Sequence, residues 1–180
     1  GLTGKDITMS DIILKIGPRI NASGRIQKGS ESVTLLVEHD YNKAVEEAER
    51  INQYNDERKE LDKKMTEEAG QFVENMPEFQ NMSSIVIYNE DWHKGVIGIV
   101  ASRLTELYFR PAVVLTRTGD TVTGSARSVS GFDVYRAIES CRDLLENFGG
   151  HTYAAGLSLP VENVEEFKVR FEKYVSENIH

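Results

Sequence analysis

Cysteine, proline and tryptophan are scarce in this 180-residue chain: one Cys, four Pro and one Trp. With Cys141 alone no intrachain disulfide can form, which fits a reducing compartment and a cytoplasmic location. Cys141 also falls on an apolar helical stripe, so it reads as core rather than as a nucleophile. No apolar run approaches the roughly 18 residues needed to span a bilayer, and no signal peptide opens the chain, so no membrane partner is expected. The initiator Met is missing as well. The chain begins Gly1-Leu2-Thr3-Gly4, which reads as a segment of a longer protein. No internal repeat or low-complexity stretch is visible.

Positive charge is also short. The net charge of -8 argues at first against a nucleic-acid partner, whose binding is largely phosphate neutralisation. The distribution removes much of that objection. Residues 31–80 hold 14 acidic and 6 basic side chains, which accounts for the whole net charge. Residues 1–30 are net positive, and 81–160 are close to neutral. One segment is acidic, and the others are free to present local positive sites.

The acidic segment reads as a long helix from about Tyr41 to Met76, with no Pro and only Gly70 to interrupt it. Its ends are amphipathic, through Ala44, Ala48 and Ile51 on one side and Leu61, Met65, Ala69, Phe72 and Met76 on the other. The middle, from Asn52 to Glu60, carries one apolar residue. A helix polar all round in its centre bridges two bodies through solvent. The segment is therefore expected to be a connector; a coiled-coil arm is the alternative, disfavoured because the heptad lapses in the middle. After Pro77 strands and helices alternate. Strands are expected at Ser84–Tyr88, Pro111–Leu115, Thr121–Arg127 and Gly156–Leu159, with a hairpin turn through Gly119-Asp120. Helices are expected from Gly95 to Tyr108, from Asp133 to a stop at Gly149-Gly150, and from Val161 to Ile179. The fold class is α/β: a mixed β-sheet domain flanked by helices, preceded by a long connector helix. The expected division is 1–40, 41–76 and 77–180.

Four segments are rich in small and polar residues. In Gly124-Ser125-Ala126-Arg127-Ser128, Gly124 and Ala126 let a ligand approach the backbone. Ser125 and Arg127, two apart on a strand, share a face, and a guanidinium fork matches phosphate oxygens. An edge strand with an exposed Arg is the plainer alternative. In Phe148-Gly149-Gly150-His151, Gly149 and Gly150 permit positive φ and expose N–H groups, while His151 can donate to a phosphate; a helix cap followed by a surface His is the alternative. Asp91-Trp92-His93-Lys94-Gly95 places His93 at a helix mouth, where anions are attracted. Trp92 is either a base-stacking surface or, as favoured here, core. Finally, Gly17-Pro18-Arg19-Ile20-Asn21-Ala22-Ser23-Gly24-Arg25 reads as a phosphate-contacting loop presenting Arg19, Asn21 and Arg25.

In this order, the four segments resemble the RecJ family of single-stranded-DNA-specific exonucleases, within the DHH phosphoesterase superfamily. The resemblance runs along essentially the whole chain. It implies a two-lobed enzyme in which residues 1–40 end the DHH lobe, 41–76 connect, and 77–180 form the DHH-associated substrate domain. The implied reaction is 5′→3′ phosphodiester hydrolysis assisted by two Mn²⁺ or Mg²⁺ ions. The ions' ligands are not in this chain: it has no Asp-x-Asp and no Asp-His-His, and its one adjacent His/Asp pair is His39-Asp40, in the wrong order. By the same matching, Ser125 and Arg127 would bind the terminal or adjacent phosphate and His151 would face the scissile one. Arg19, Asn21 and Arg25 would line the cleft. The implied partners are single-stranded DNA and an N-terminal DHH lobe, with an oligonucleotide-binding domain after His180 as a further candidate. Two alternatives stand beside this: a DHH-family phosphodiesterase for short RNA or cyclic dinucleotides, and a non-catalytic nucleic-acid-binding module.

Overall fold

The computed structural model describes Gly4 and residues 6–179; Gly1-Leu2-Thr3, on which the chain's opening was read, lies outside them. The chain divides into two compact units between Leu61 and Asp62.

The first unit is helical. A short turn, α1 (Met9–Asp11), is closed by a capping box in which Thr8 and Asp11 satisfy each other's backbone donors. The Lys15 ammonium and the Thr8 groups hold the Asp11 carboxyl down at about 2. A π-helical turn (Ile12–Ile16) runs directly into α2 (Gly17–Ile26). The segment expected to be a loop is therefore a helix. Pro18 lies in its first turn, where its missing N–H costs nothing. Helix α3 (Ser30–Val37) is pinned to α2 by buried hydroxyls: Ser23 Oγ lies 2.6 Å from Ser32 Oγ, and Ser32 donates to the Ile20 carbonyl at 3.0 Å.

Helix α4 (Tyr41–Glu74) crosses the division between the units as one 34-residue element. Its centre is not polar all round in its environment. Ile51, Asn55, Asp62, Met65, Ala69 and Val73 are buried and Arg58 is half-buried, a run of threes and fours that makes one continuous stripe. The stripe changes from apolar to polar in mid-helix, so hydrophobic periodicity alone misses it. Asn55 accepts from Arg58 at 3.2 Å, and Asp62 takes both a 2.8 Å bond from Arg103 Nε and one from Nη2. The expected apolar end is also rotated. Phe72 is 45% exposed, whereas Val73 is fully buried.

The second unit is built on a mixed sheet of order β1-β2-β3-β5-β4. β1 (Ile85–Tyr88) runs parallel to β2 (Ala112–Thr118). β3 (Thr121–Arg127), β5 (Ala154–Pro160) and β4 (Asn147–His151) follow antiparallel. The parallel pair needs a crossover, supplied by α5 (Ile97–Tyr108). The β2–β3 hairpin turns on Gly119, at φ +65°. Asp133 caps α6 (Val134–Glu139) by accepting from the Arg136 N–H. The expectation that this helix continues to Gly149-Gly150 is overturned. It ends at Glu139, a 3₁₀ turn (Arg142–Leu144) carries Cys141 and Leu144 into the core, and Phe148-Gly149-Gly150-His151 lies in strand β4. Helix α7 (Val164–Asn178) closes the unit, and its Glu172 accepts the N–H groups of Ser83 and Ser84 at the start of β1.

The two faces of the sheet are covered unequally. On one face Val113, Leu115, Val122, Ala126, Leu157 and Leu159 pack with α6 and α7 in a single core cluster. On the other, α5 packs over β2 and β3. β5 and β4 extend past it.

Candidate functional site

The second face, from β3 at the margin of α5 out to open β4, gathers most of the polar residues singled out from the sequence. Paired residues in an antiparallel ladder share a face, so the register defines three rungs across β3, β5 and β4. The first is Arg127–Ala154–His151, the second Ser125–Gly156–Gly149 and the third Thr123–Ser158–Asn147. Successive rungs are about 6.8 Å apart, and β3 and β4 are separated by about 9–10 Å. The second rung bears no side chain beyond Ser125. It forms a furrow floored by backbone, with the Arg127 guanidinium and the His151 imidazole along one bank. On β4 the face is open: Asn147, Gly149 and His151 are exposed, and a Cβ added to Gly149 would meet nothing within 4 Å.

Arg127 and Ser125 are organised as a pair. Arg127 Nη1 donates to Ser125 Oγ at 3.0 Å and to the Ala126 carbonyl at 2.8 Å. The first turn of α5 closes over them: a Cβ on Gly98 would fall 2.9 Å from both Arg127 Nη2 and Ser125 Oγ. Gly98 is a close-approach position that sequence reasoning passed over, since a lone helical glycine carries no signal until its neighbour across the layer is known. His151 lies exposed where β4 enters the two-residue turn to β5, its Nδ1 accepting from the Tyr153 N–H at 3.3 Å.

The turn of α5 is itself braced. Half-buried His93 uses its carbonyl to accept from Val96 and Ile97, and its Nδ1 accepts from Gly95, so it builds the helix entrance. Trp92 is core, 5% exposed, donating to Glu68 at 2.8 Å and meeting Phe72 edge-on at 5.8 Å. Farther along α5, Arg103 forks onto buried Asp62 of α4, and that hydrogen-bonded carboxylate raises the guanidinium's pKa. The second half of α4 thus anchors the helix that roofs Ser125 and Arg127.

Other expected site residues fall elsewhere. Gly124 and Gly150 face the core side. A Cβ on Gly124 would run 2.5 Å from Leu115, and one on Gly150, at φ +154°, 2.4 Å from the Ala154 carbonyl; packing accounts for both glycines. Arg19, Asn21 and Arg25 lie on α2 in the first unit. Asn21 and Arg25 are one helical turn apart, while Arg19 points roughly opposite. Arg19 donates to Asn52 at 2.7 Å and to the Lys15 carbonyl at 2.6 Å. It borders a cavity of about 530 Å³ shared with Lys15, Asn52 and apolar side chains from Ile16 to Ile51. Cys141 is fully buried, and that burial pushes its thiol above its ordinary value. Among the described residues no group of three or more His, Cys, Asp or Glu could hold a metal ion, and no helix is long and apolar enough to cross a membrane.

A mixed sheet roofed on half of one face, with an Arg–Ser pair at the margin of the roof and a Gly-Gly-His strand beyond it, defines an α/β domain of the DHH-associated class. The DHHA1 domain family matches residues 81–177, and the chain belongs to that family. The curated proteins it resembles include RecJ exonucleases. The chain is 38% identical over 177 residues to the single-stranded-DNA-specific exonuclease RecJ of Bacillus subtilis, covering 96% of this chain and 22% of that protein. Crystallographic RecJ from Thermus thermophilus with Mg²⁺ superposes with a TM-score of 0.86 at 28% identity, over 97% of this chain and 27% of that one. An exonuclease RecJ bound to manganese gives 0.82 at 29% identity, over 98% and 43%. The chain thus spans less than half the length of each.

Proposed function

We propose that this chain is the substrate-gripping part of a RecJ-like 5′→3′ single-stranded-DNA exonuclease. The observation that carries the reading is the sheet face running out from α5, where Arg127, Ser125 and His151 border a furrow floored by Gly156 and Gly149. A phosphate lying there would meet a planar cationic fork, a hydroxyl and an imidazole, and charge-assisted bonds of this kind position a backbone strongly. Ser125 orients the fork, Arg127 grips, and His151 faces the phosphate from the β4 end of the same bank. The open edge at Gly149 lets the backbone come close. His93 acts through the α5 entrance.

The described residues offer no ligand set for a divalent ion, so no step through a metal is assigned to them. In the proposed enzyme, Mn²⁺ or Mg²⁺ is held by a DHH lobe outside this chain. Residues 1–40 would end that lobe, 41–76 would connect, and 77–180 would bind substrate. The first unit supports the assignment by exposing Ile13, Leu14, Leu36 and Val37, large apolar side chains that suit burial against further protein. Asn21 and Arg25, which share a face of α2, would line the substrate cleft of the whole enzyme, a face that Arg19 does not share.

The test is Arg127→Ala in the whole exonuclease. Loss of one charge-assisted contact removes about 1.5–3 kcal/mol, roughly a 10- to 150-fold drop in kcat/KM. Unchanged kinetics would return Arg127 to a structural role.

A further inference from the structure

We infer that the third rung, Thr123–Ser158–Asn147, is a second subsite that holds the backbone two nucleotides along from the phosphate gripped at Arg127 and His151. The inference rests on reading the bare sheet face as a phosphate site, and deepens it. Three neighbouring strands each place a small hydrogen-bonding side chain at one level of the sheet. On the opposite face the same strands turn apolar residues inward, among them Val122, Leu157 and Leu159. Thr123 and Ser158 are half-buried and Asn147 is exposed. None of the three side chains hydrogen-bonds another described residue, so their donors are free for a ligand.

Spacing favours two nucleotide steps. The rung lies about 13–14 Å from the Arg127 rung, with the glycine furrow between, and each rung spacing of about 6.8 Å matches the roughly 6–7 Å that one nucleotide of an extended single strand spans. A strand crossing the furrow therefore keeps its backbone against glycine and meets polar groups at each bank, as an extended single strand requires. The chemistry differs between banks. Arg127 and His151 suit a terminal phosphate of higher charge, whereas neutral Thr, Ser and Asn suit the singly charged diester and its sugar. The ladder also sets a limit. The next rung is Thr121 beside Pro160 with no β4 partner, so the paved face ends after this subsite and a short oligonucleotide fills it.

The test compares thymidine 5′-monophosphate with the 5′-phosphorylated dinucleotide and trinucleotide of thymidine, binding to the 180-residue chain in an amide-shift titration. The wild type is expected to bind the trinucleotide at least about tenfold more tightly than the mononucleotide, with the gain arising at the third phosphate. Thr123→Val, Ser158→Ala and Asn147→Ala should each weaken the trinucleotide about three- to tenfold and leave the mononucleotide and dinucleotide unchanged. All three are small changes at half-buried or exposed positions, and matching circular dichroism confirms that each variant folds. Equal affinity for mononucleotide and trinucleotide, equal loss of both in the variants, or no loss in any variant overturns the subsite. Arg127→Ala separates this from the underlying reading: if it leaves mononucleotide binding intact, the phosphate site itself fails.

Discussion

Replacing Gly98 with Ala should separate stability from binding. In an ordinary helix the change stabilises by about 1 kcal/mol, because glycine loses more backbone freedom on folding. Here the new Cβ would lie 2.9 Å from Arg127 Nη2 and 2.9 Å from Ser125 Oγ, about half an ångström inside normal contact. Both obstacles are side-chain ends. Rotating the serine and sliding the guanidinium costs about 0.5–1.5 kcal/mol each in displaced rotamers. The gain and the strain nearly offset each other, so urea unfolding should shift by no more than about 2 kcal/mol. Binding has no such compensation. The fork that would grip phosphate leaves its place, and losing one charge-assisted bond should weaken thymidine 5′-monophosphate about 10- to 150-fold. A variant that binds as tightly as wild type would refute the claim that α5 sets the geometry of the Arg–Ser pair.

Two further contrasts follow from the same packing. Gly149→Ala should leave stability within about 1 kcal/mol, because its Cβ enters open space, yet weaken ligand binding by narrowing the furrow. Gly150→Ala should cost several kcal/mol in thermal unfolding, since its φ of +154° and the nearby Ala154 carbonyl both exclude a Cβ. Equal behaviour of the two would mean that the β4 register is wrong. On α4, Met65→Ala should cost about 2–5 kcal/mol, as a fully buried large-to-small change does. Phe72→Ala should cost less, its ring being 45% exposed against Trp92. A larger loss at Phe72 would contradict the observed rotation of the helix.

Much of the second unit was legible in sequence, and the gaps have physical causes. β1, β2, β3, β5, the Gly119 turn, the Asp133 cap and α7 each carry a local signal of alternation, glycine or capping that the structure keeps. β4 carries none. Asn147-Phe148-Gly149-Gly150-His151 has little strand propensity, and it is a strand because β5 offers a ladder beside it. The apolar spacing of Cys141, Leu144 and Leu145 imitates a continuing helix, and Gly-Gly imitates its stop. The buried stripe of α4 was hidden because Asn55, Arg58 and Asp62 occupy it, and only their partners show that the face continues. At the site, Ser125 and Arg127 could be paired by strand parity alone. Their alignment with Gly156, Gly149 and His151 depends on register between strands, which hydrophobic patterning does not encode. Gly124 and Gly150 show the converse: glycines that look like ligand approaches are demanded by core neighbours.

The most direct measurement is the set of backbone amides that shift when thymidine 5′-monophosphate is titrated into the isotopically labelled chain. The account predicts saturable shifts centred on Gly98, Ser125, Arg127, Gly149, His151 and Gly156, lost in Arg127→Ala. Shifts confined to the first unit around Arg19 and Lys15, or to the α6–α7 face of the sheet, would contradict it.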